Sequence, residues 1–361
     1  MTETDSTATH ATPDGRAQLG RRLQMVRGLL WGWGSNGDVL ASVLSGSRTD
    51  LLDAGPLLRG EPVARSRTET WVVGDHATAR AVLEDAAFGR GPARVPEWAR
   101  AADVADATWC QPFQEAERQD VAPDVDPDGV VDRVRDAVGA RGGRLDLVAD
   151  LAWPAALAAC DVRDAEAARA WRVAPDATLV PQRLAQTVAA LEVLDAGHDV
   201  ARLTVATLLS GVLVDAVLLL DGRRVAGLDD EPGTRAVVRE TLRLAPTRAL
   251  VRRTATAATT LGAAALGEGD EVIVVTAVAD RDHALLEDPD AFRPDREPTT
   301  PSLSDLLAER DPLERLVREL AVLVLPVLLE RPLELVGPVT RDPRSAVVRS
   351  CLSFPVVREE S

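Results

Sequence analysis

Glu240 and Arg243 stand three residues apart in the run ETLR, so on a helix both side chains leave one face and can form an ion pair. Arg296 closes the run FRPDR at 292–296. Between them lie RRTAT at 252–256, a GEGD turn at 267–270 and the apolar run EVIVVTAV at 271–278, a pattern of strands joined by turns. An acid and an arginine at this spacing recur at Glu115/Arg118 and Glu166/Arg169, so the spacing alone reads as a surface pair. Order and distance to the flanking strands are what single out Glu240 and Arg243. Other chemistry is sparse. Cys110, Cys160 and Cys351 fit neither a zinc spacing nor a disulfide framework. His10, His76, His198 and His283 are scattered and read as solvated. No nucleophile triad, phosphate loop or metal-ligand spacing stands out.

The elements that must hold these residues are mostly helical, with small β-sheets. Residues 1–18 are polar and read as a disordered tail, and 19–361 as a single domain. A short helix is expected over 19–27, ending at Gly28. A Gly-rich loop, LLWGWGSNGD, then carries Trp31, Trp33 and Asn36. A strand at 70–73 turns at Gly74-Asp75 into a helix reaching about residue 87. A mobile loop flanks a short helix within 120–143, and 144–220 is helical with interruptions near Pro175 and Pro181. Asp215 interrupts the apolar run at 203–220, which favours a buried central helix over a membrane span. Pro246 ends a helix over 231–245. Strands are expected at 249–255 and 271–278, and a helix over 301–330 whose end Pro326 breaks or kinks.

The chain has 361 residues and a net charge of −16, with no lysine or tyrosine. The arginine- and alanine-rich composition is that of a GC-rich, actinomycete-like genome. An acidic surface repels phosphate backbones and anionic lipid, which argues against nucleic acid and membrane as partners. The cysteine usage and a polar start without an apolar signal segment lead us to expect a cytoplasmic protein.

Over most of 60–335, and most strongly over 236–296, the sequence resembles a bacterial cytochrome P-450. The resemblance implies a P-450-like fold in which Glu240, Arg243 and Arg296 form a buried structural ion-pair triad. It also implies a thiolate loop after Arg296, and there this chain departs from the family. It reads PTTPSLSDLLAERDPLERL, with no Cys, His or Gly. Leu213 and Val214 stand where the family keeps an oxygen-activating acid and threonine, and Asp215 lies one step further, about 100° round the helix. The segment 109–113 lacks the His and Arg that hold a haem propionate, although Arg253 matches a propionate-binding arginine. Cys351 lies too near the C-terminus to replace the thiolate.

The runs LGRRLQMVRGLLWGWGSNGD and RSRTETWVVGDHATARAVL are similar to a group of haem-free P-450 homologues. These serve as auxiliary partners of glycosyltransferases that attach deoxyaminosugars to macrolides and anthracyclines. That resemblance implies a non-catalytic protein, without cofactor, that binds, stabilises and activates a deoxysugar glycosyltransferase in polyketide antibiotic biosynthesis. Trp31, Trp33 and Asn36 are the candidate partner-binding residues, since tryptophan is enriched among interface anchors. The alternatives are a monooxygenase with atypical haem ligation and a haem-independent enzyme using the vacated cavity.

Overall fold

The computed structural model describes residues 13–45, 51–101, 122–174, 184–222, 228–297, 301–342 and 345–359. Helices of eight residues or more within these are α1 (Pro13–Ser35), α2 (His76–Glu84), α3 (Val130–Val138) and α4 (Leu184–Asp195). They continue with α5 (Val200–Leu219), α6 (Glu231–Leu244), α7 (Leu303–Arg310) and α8 (Pro312–Leu328). The strands are short: β1 (Val63–Arg65), β2 (Trp71–Val73), β3 (Phe88–Gly89), β4 (Gly143–Asp146), β5 (Val251–Ala255) and β6 (Thr259–Leu261). After these come β7 (Ala264–Leu266), β8 (Glu271–Val274), β9 (Leu333–Leu335), β10 (Thr340–Arg341), β11 (Cys351–Ser353) and β12 (Pro355–Arg358).

The largest sheet runs β1-β2-β8-β5-β3. Its one parallel pairing joins β2 to β8, and the other neighbours are antiparallel. β12 lies between β4 and β9 in a second sheet, and β10–β11 forms a hairpin. The main core gathers around α5 and α8, with Leu209, Leu213, Val217, Val317, Val324 and Leu328 buried between them and α3. α5 is apolar on all sides and mostly buried, which is why it passes for a membrane span by length and composition alone. Asp199 caps its N-terminus by accepting from the Arg202 N–H.

The N-terminal region differs from expectation. α1 begins at Pro13, inside the expected tail, and runs through Gly28 and the expected loop to Ser35. Residues 1–12 lie outside the described residues. Three glycines read as breakers, yet tertiary packing outweighs their poor propensity. Val26 and Leu30 point inward to a second core with Leu40, Val43 and Ile273, and Leu23 is buried on the same side. Gly34 is needed where it is: a Cβ there would meet the Ser42 Cα at 2.7 Å, so α1 and the helix Val39–Leu44 approach too closely for a side chain. The two tryptophans therefore separate by two helical steps. Trp33 turns inward and meets Trp98 edge-on, ring centroids 5.3 Å apart, whereas Trp31 is 62% exposed.

Elsewhere the differences are local. The run at 271–278 is strand only to Val274, and Thr276–Ala279 turns into helix. The helix expected over 301–330 is two, α7 and α8, broken at Asp311-Pro312, while Pro326 sits inside α8. Proline is tolerated at a helix start, where its missing N–H has no partner to lose. The interruptions expected near Pro175 and Pro181 lie outside the described residues.

The separation of the tryptophans is measurable. Trp33→Ala should lower the unfolding free energy by about 2–4 kcal/mol through lost burial and aromatic contact. Trp31→Ala should change it by less than about 0.5 kcal/mol. Equal losses in urea titrations would contradict the helical placement.

Candidate functional site

Glu240 and Arg243 leave the same face of α6, whose start is fixed by Asp230 accepting from the Gly233 N–H and whose end precedes Pro246. Both are buried. Arg243 donates from Nε to Glu240 Oε2 at 2.9 Å and from Nη2 to Oε1 at 2.8 Å. Its Nη1 donates to the carbonyls of Asp280 and Pro289 at 3.0 and 2.7 Å, and Glu240 also accepts from the Arg293 N–H at 3.1 Å. Arg296 approaches with Nε 3.5 Å from Glu240 Oε1 and donates instead to the carbonyls of Glu287 and Asp288. Every strong donor of Arg243 is used, which is the condition under which a buried pair is tolerable. The three side chains meet at one point and tie the 280–296 loop to α6. No reacting group is presented there.

The structure adds a cluster that spacing did not suggest. Beside this triad, Asp280 and His76 share a cleft with Ser302 and Asp305. His76 is buried, not solvated as expected, because α2 starts against the sheet and its Nε2 lies 3.2 Å from the Pro301 carbonyl. Burial pushes the His76 pKa down, so its 3.9 Å approach to Asp280 is no ion pair at neutral pH. Burial pushes Asp280 up to about 7, although its Oδ1 accepts from the Leu303 N–H at 2.7 Å.

A second cluster stands immediately before α8, in the position expected of a thiolate loop. Asp311 caps α8 by accepting from the Leu313 N–H. It also accepts from Arg248 at 2.6 Å and faces Arg90 at 3.1 Å. Glu314 accepts from Arg248 at 2.7 Å and from the Thr247 hydroxyl at 2.5 Å. Burial raises the Asp311 pKa, but Arg248 and Arg90 more than offset this and hold it below the usual carboxylate range. Neither Arg248 nor its two acids carries a signal in the sequence beyond the Asp-Pro helix start at 311–312.

Along α5, Thr207, Ser210, Val214 and Asp215 line a cleft closed by Thr247 and Cys351. Asp215 is not idle there: Arg341 of the β10–β11 hairpin reaches it at 2.6 Å and latches the hairpin over the helix. The remaining cavity is about 30 Å³, room for water and an order of magnitude below the several hundred Å³ of a small-molecule site. The residues do not fit a haem. The two cysteines among the described residues are buried, Cys160 at the end of the helix Trp153–Ala159 and Cys351 in β11, and neither stands in the segment before α8; burial pushes Cys160 up to about 12 and Cys351 up to about 11. Arg253 is buried and donates to the Arg252 carbonyl. Cys110 and the segment 109–113 lie outside the described residues.

The candidate partner residues do not act alike. Trp33 faces the core and Trp31 faces solvent. The side-chain amide of Asn36 is exposed but already donates to the Gly32 carbonyl at 2.7 Å, which fastens the end of α1.

The cytochrome P450 family model matches residues 224–296, the segment that carries α6, the strands and the 280–296 loop. The chain is 42% identical to the "Cytochrome P450 family protein EryCII" of Saccharopolyspora erythraea, over 96% of this chain and 99% of that protein. It is 30% identical to "Protein DesVIII" of Streptomyces venezuelae, over 94% of this chain and 93% of that one. "Protein AknT" of Streptomyces galilaeus is 29% identical, again over 94% of this chain and 96% of that one. Among solved structures, Mycobacterium smegmatis CYP164A2 with econazole bound matches with a TM-score of 0.66 and 19% identity, over 88% of this chain and 99% of that one. A mutant of P450 EryK in complex with erythromycin B matches with a TM-score of 0.62 and 21% identity, over 86% of this chain and 96% of that one. At these identities the structural likeness speaks for the fold alone.

Two substitutions test the buried charges. Arg243→Ala should cost about 3–5 kcal/mol, because it strands Glu240 in the interior. Unchanged melting would reduce the pair to a surface contact. Asp280, with its pKa raised by folding, contributes stability that is full below about pH 4 and is lost as pH rises through about 7. Asp280→Asn should therefore gain in melting temperature relative to the parent between pH 5 and pH 8. A constant difference across that window would rule the titration out.

Proposed function

This chain belongs to the cytochrome P450 family, alongside EryCII, and from that premise we propose that its working surface is its outside. It binds, stabilises and activates a deoxysugar glycosyltransferase of polyketide antibiotic biosynthesis, and itself performs no catalytic step. The observation that carries this reading is an interior that is closed along α5 among the described residues. Where the family holds a thiolate loop, Asp311 and Glu314 clasp Arg248, and the cleft along α5 keeps only about 30 Å³. A buried network whose acids and guanidinium satisfy one another holds the body together.

The mechanism is linkage. A partner that binds only the folded, competent state of the transferase stabilises that state by mass action, by about 2.7 kcal/mol when it is present at 100 times its dissociation constant. It activates to the extent that it discriminates between the competent and the idle conformations. The surface must then be rigid, and the interior supplies that rigidity.

The test compares sugar transfer by the glycosyltransferase encoded nearest to this chain in its genome, produced alone and produced together with it. Co-production should raise specific activity, and the two proteins should elute together with no absorbance near 400–420 nm. Equal activity of the transferase alone would reject the auxiliary role. A haem absorbance band that survives purification would restore the monooxygenase alternative.

A further inference from the structure

The outward face of α1 is unlike the rest of the molecule. Residues 13–35 contain four arginines against one aspartate, a net +3 on a chain whose total is −16. Arg21, Met25, Gly28 and Trp31 are exposed on one side of α1, with Gly32 beside them, opposite the buried Leu23, Val26 and Leu30. Arg21 and Arg27 are exposed and make no ion pair or hydrogen bond within the described residues. Five large apolar side chains stand exposed among the described residues. Three of them, Met25, Trp31 and Leu57, lie on α1 or in the cleft of about 340 Å³ that opens at its C-terminal end beside Asn36 and Arg67. So apolar exposure and unpaired positive charge coincide on one helix of an acidic protein.

The glycines sharpen the shape of this face. A Cβ at Gly34 would strike Ser42, so that glycine serves internal packing. A Cβ at Gly28 or Gly32 would meet nothing within 4 Å. Nothing inside the fold asks for them, although glycine weakens a helix interior. At 100° per residue Gly28 lies between Met25 and Trp31, so the side-chain-free floor of the face is walled on both sides by apolar groups. A floor of that kind lets a second helix approach more closely than bulky side chains would permit.

We propose that this face of α1 is the docking surface for the glycosyltransferase, and that it receives a partner helix carrying a small or apolar strip flanked by carboxylates. The inference rests on the auxiliary reading and names the surface that reading needs. Carboxylates of the partner would lie beside Arg21 and Arg27, and Trp31, at one wall of the floor, would be the buried anchor. Charge complementarity selects this occupant. The remainder of this chain is strongly acidic and repels a second copy's body, and among the described side chains an anionic bilayer meets two large apolar ones on the outer face of α1.

The experiment uses the full chain with the genome-neighbouring glycosyltransferase, measuring complex formation by light scattering and affinity by titration. Gly28→Leu places a side chain in open space on the floor. It should leave the melting temperature unchanged or raised while weakening the complex at least tenfold. Arg21→Glu with Arg27→Glu should weaken it further as salt is lowered, because the sign of the contact is reversed. Leu285→Ser with Leu352→Ser, exposed apolar residues off this face, should leave affinity within twofold. A wild-type complex that Gly28→Leu and Trp31→Glu leave within twofold would overturn the surface while keeping the auxiliary role. If the wild-type chain forms no complex with the transferase, both fall. Binding of the wild type to phosphatidylglycerol vesicles, or self-association, that Gly28→Leu abolishes would overturn the proposal in favour of lipid or a second copy.

Discussion

The guanidinium groups of Arg243 and Arg248 bear on everything else, because each brings a full charge into the interior and must be matched there. Taking such an ion from water costs several kcal/mol even after relaxation, and it is repaid only by near-complete hydrogen bonding. Arg243 is matched by Glu240 and by carbonyls of the 280–296 loop. Arg248 is matched by Asp311 and Glu314 at the start of α8. The two arginines lie on one stretch of chain that leaves α6 and enters β5, so satisfying both fixes the loop on one side and the α7–α8 junction on the other. Wrong packing would leave an acid or a guanidinium alone, which makes alternative arrangements expensive.

The same constraint accounts for the closed interior. α7 and Asp311 occupy the position before α8, and the hairpin bearing Arg341 is pinned to Asp215 on α5. Each of these pairs joins a segment near the end of the chain to the central helices. These charges are engaged in internal ties, and the cleft along α5 among the described residues is about 30 Å³. Burial also disarms the thiols, since an apolar surrounding disfavours the thiolate at Cys160 and Cys351 alike.

How much of this was legible follows the range of the interactions. Glu240 and Arg243 were readable because their pairing is local to one helix, and the strands after α6 because alternating apolar runs and turns mark them. The buried carboxylates Asp280 and Asp311 were not, because Leu303 and Arg248, which match them, lie 23 and 63 residues away and Asp-rich sequence hides a buried acid among solvated ones. His76 is hidden for the same reason: it leaves water where α2 meets the segment at 301 and Asp280, both far away in sequence. The error at α1 had another cause. Glycine is a local breaker signal, and Gly28, Gly32 and Gly34 mask an inner stripe of Leu23, Val26 and Leu30, of which Val26 and Leu30 fix the helix by tertiary packing. That error also merged Trp31 with Trp33, because only a helical period puts the one outside and the other in.

A scaffold closed in this way suits a protein that acts by binding. Association loses translational and rotational freedom in any case, and a flexible binding face would add the cost of ordering itself, roughly 0.5–1.5 kcal/mol for each rotamer-rich side chain. α1 avoids much of that. Its inner face is locked to the core by Val26, Leu30 and the Trp33–Trp98 contact, and its last turn is held by Asn36 on the Gly32 carbonyl. A helix so anchored offers Trp31 and Met25 on a backbone already in its bound shape. A stiff surface is what a partner needs if it is to favour one conformation of another protein over the rest, since discrimination between two states is limited by how differently the surface fits them.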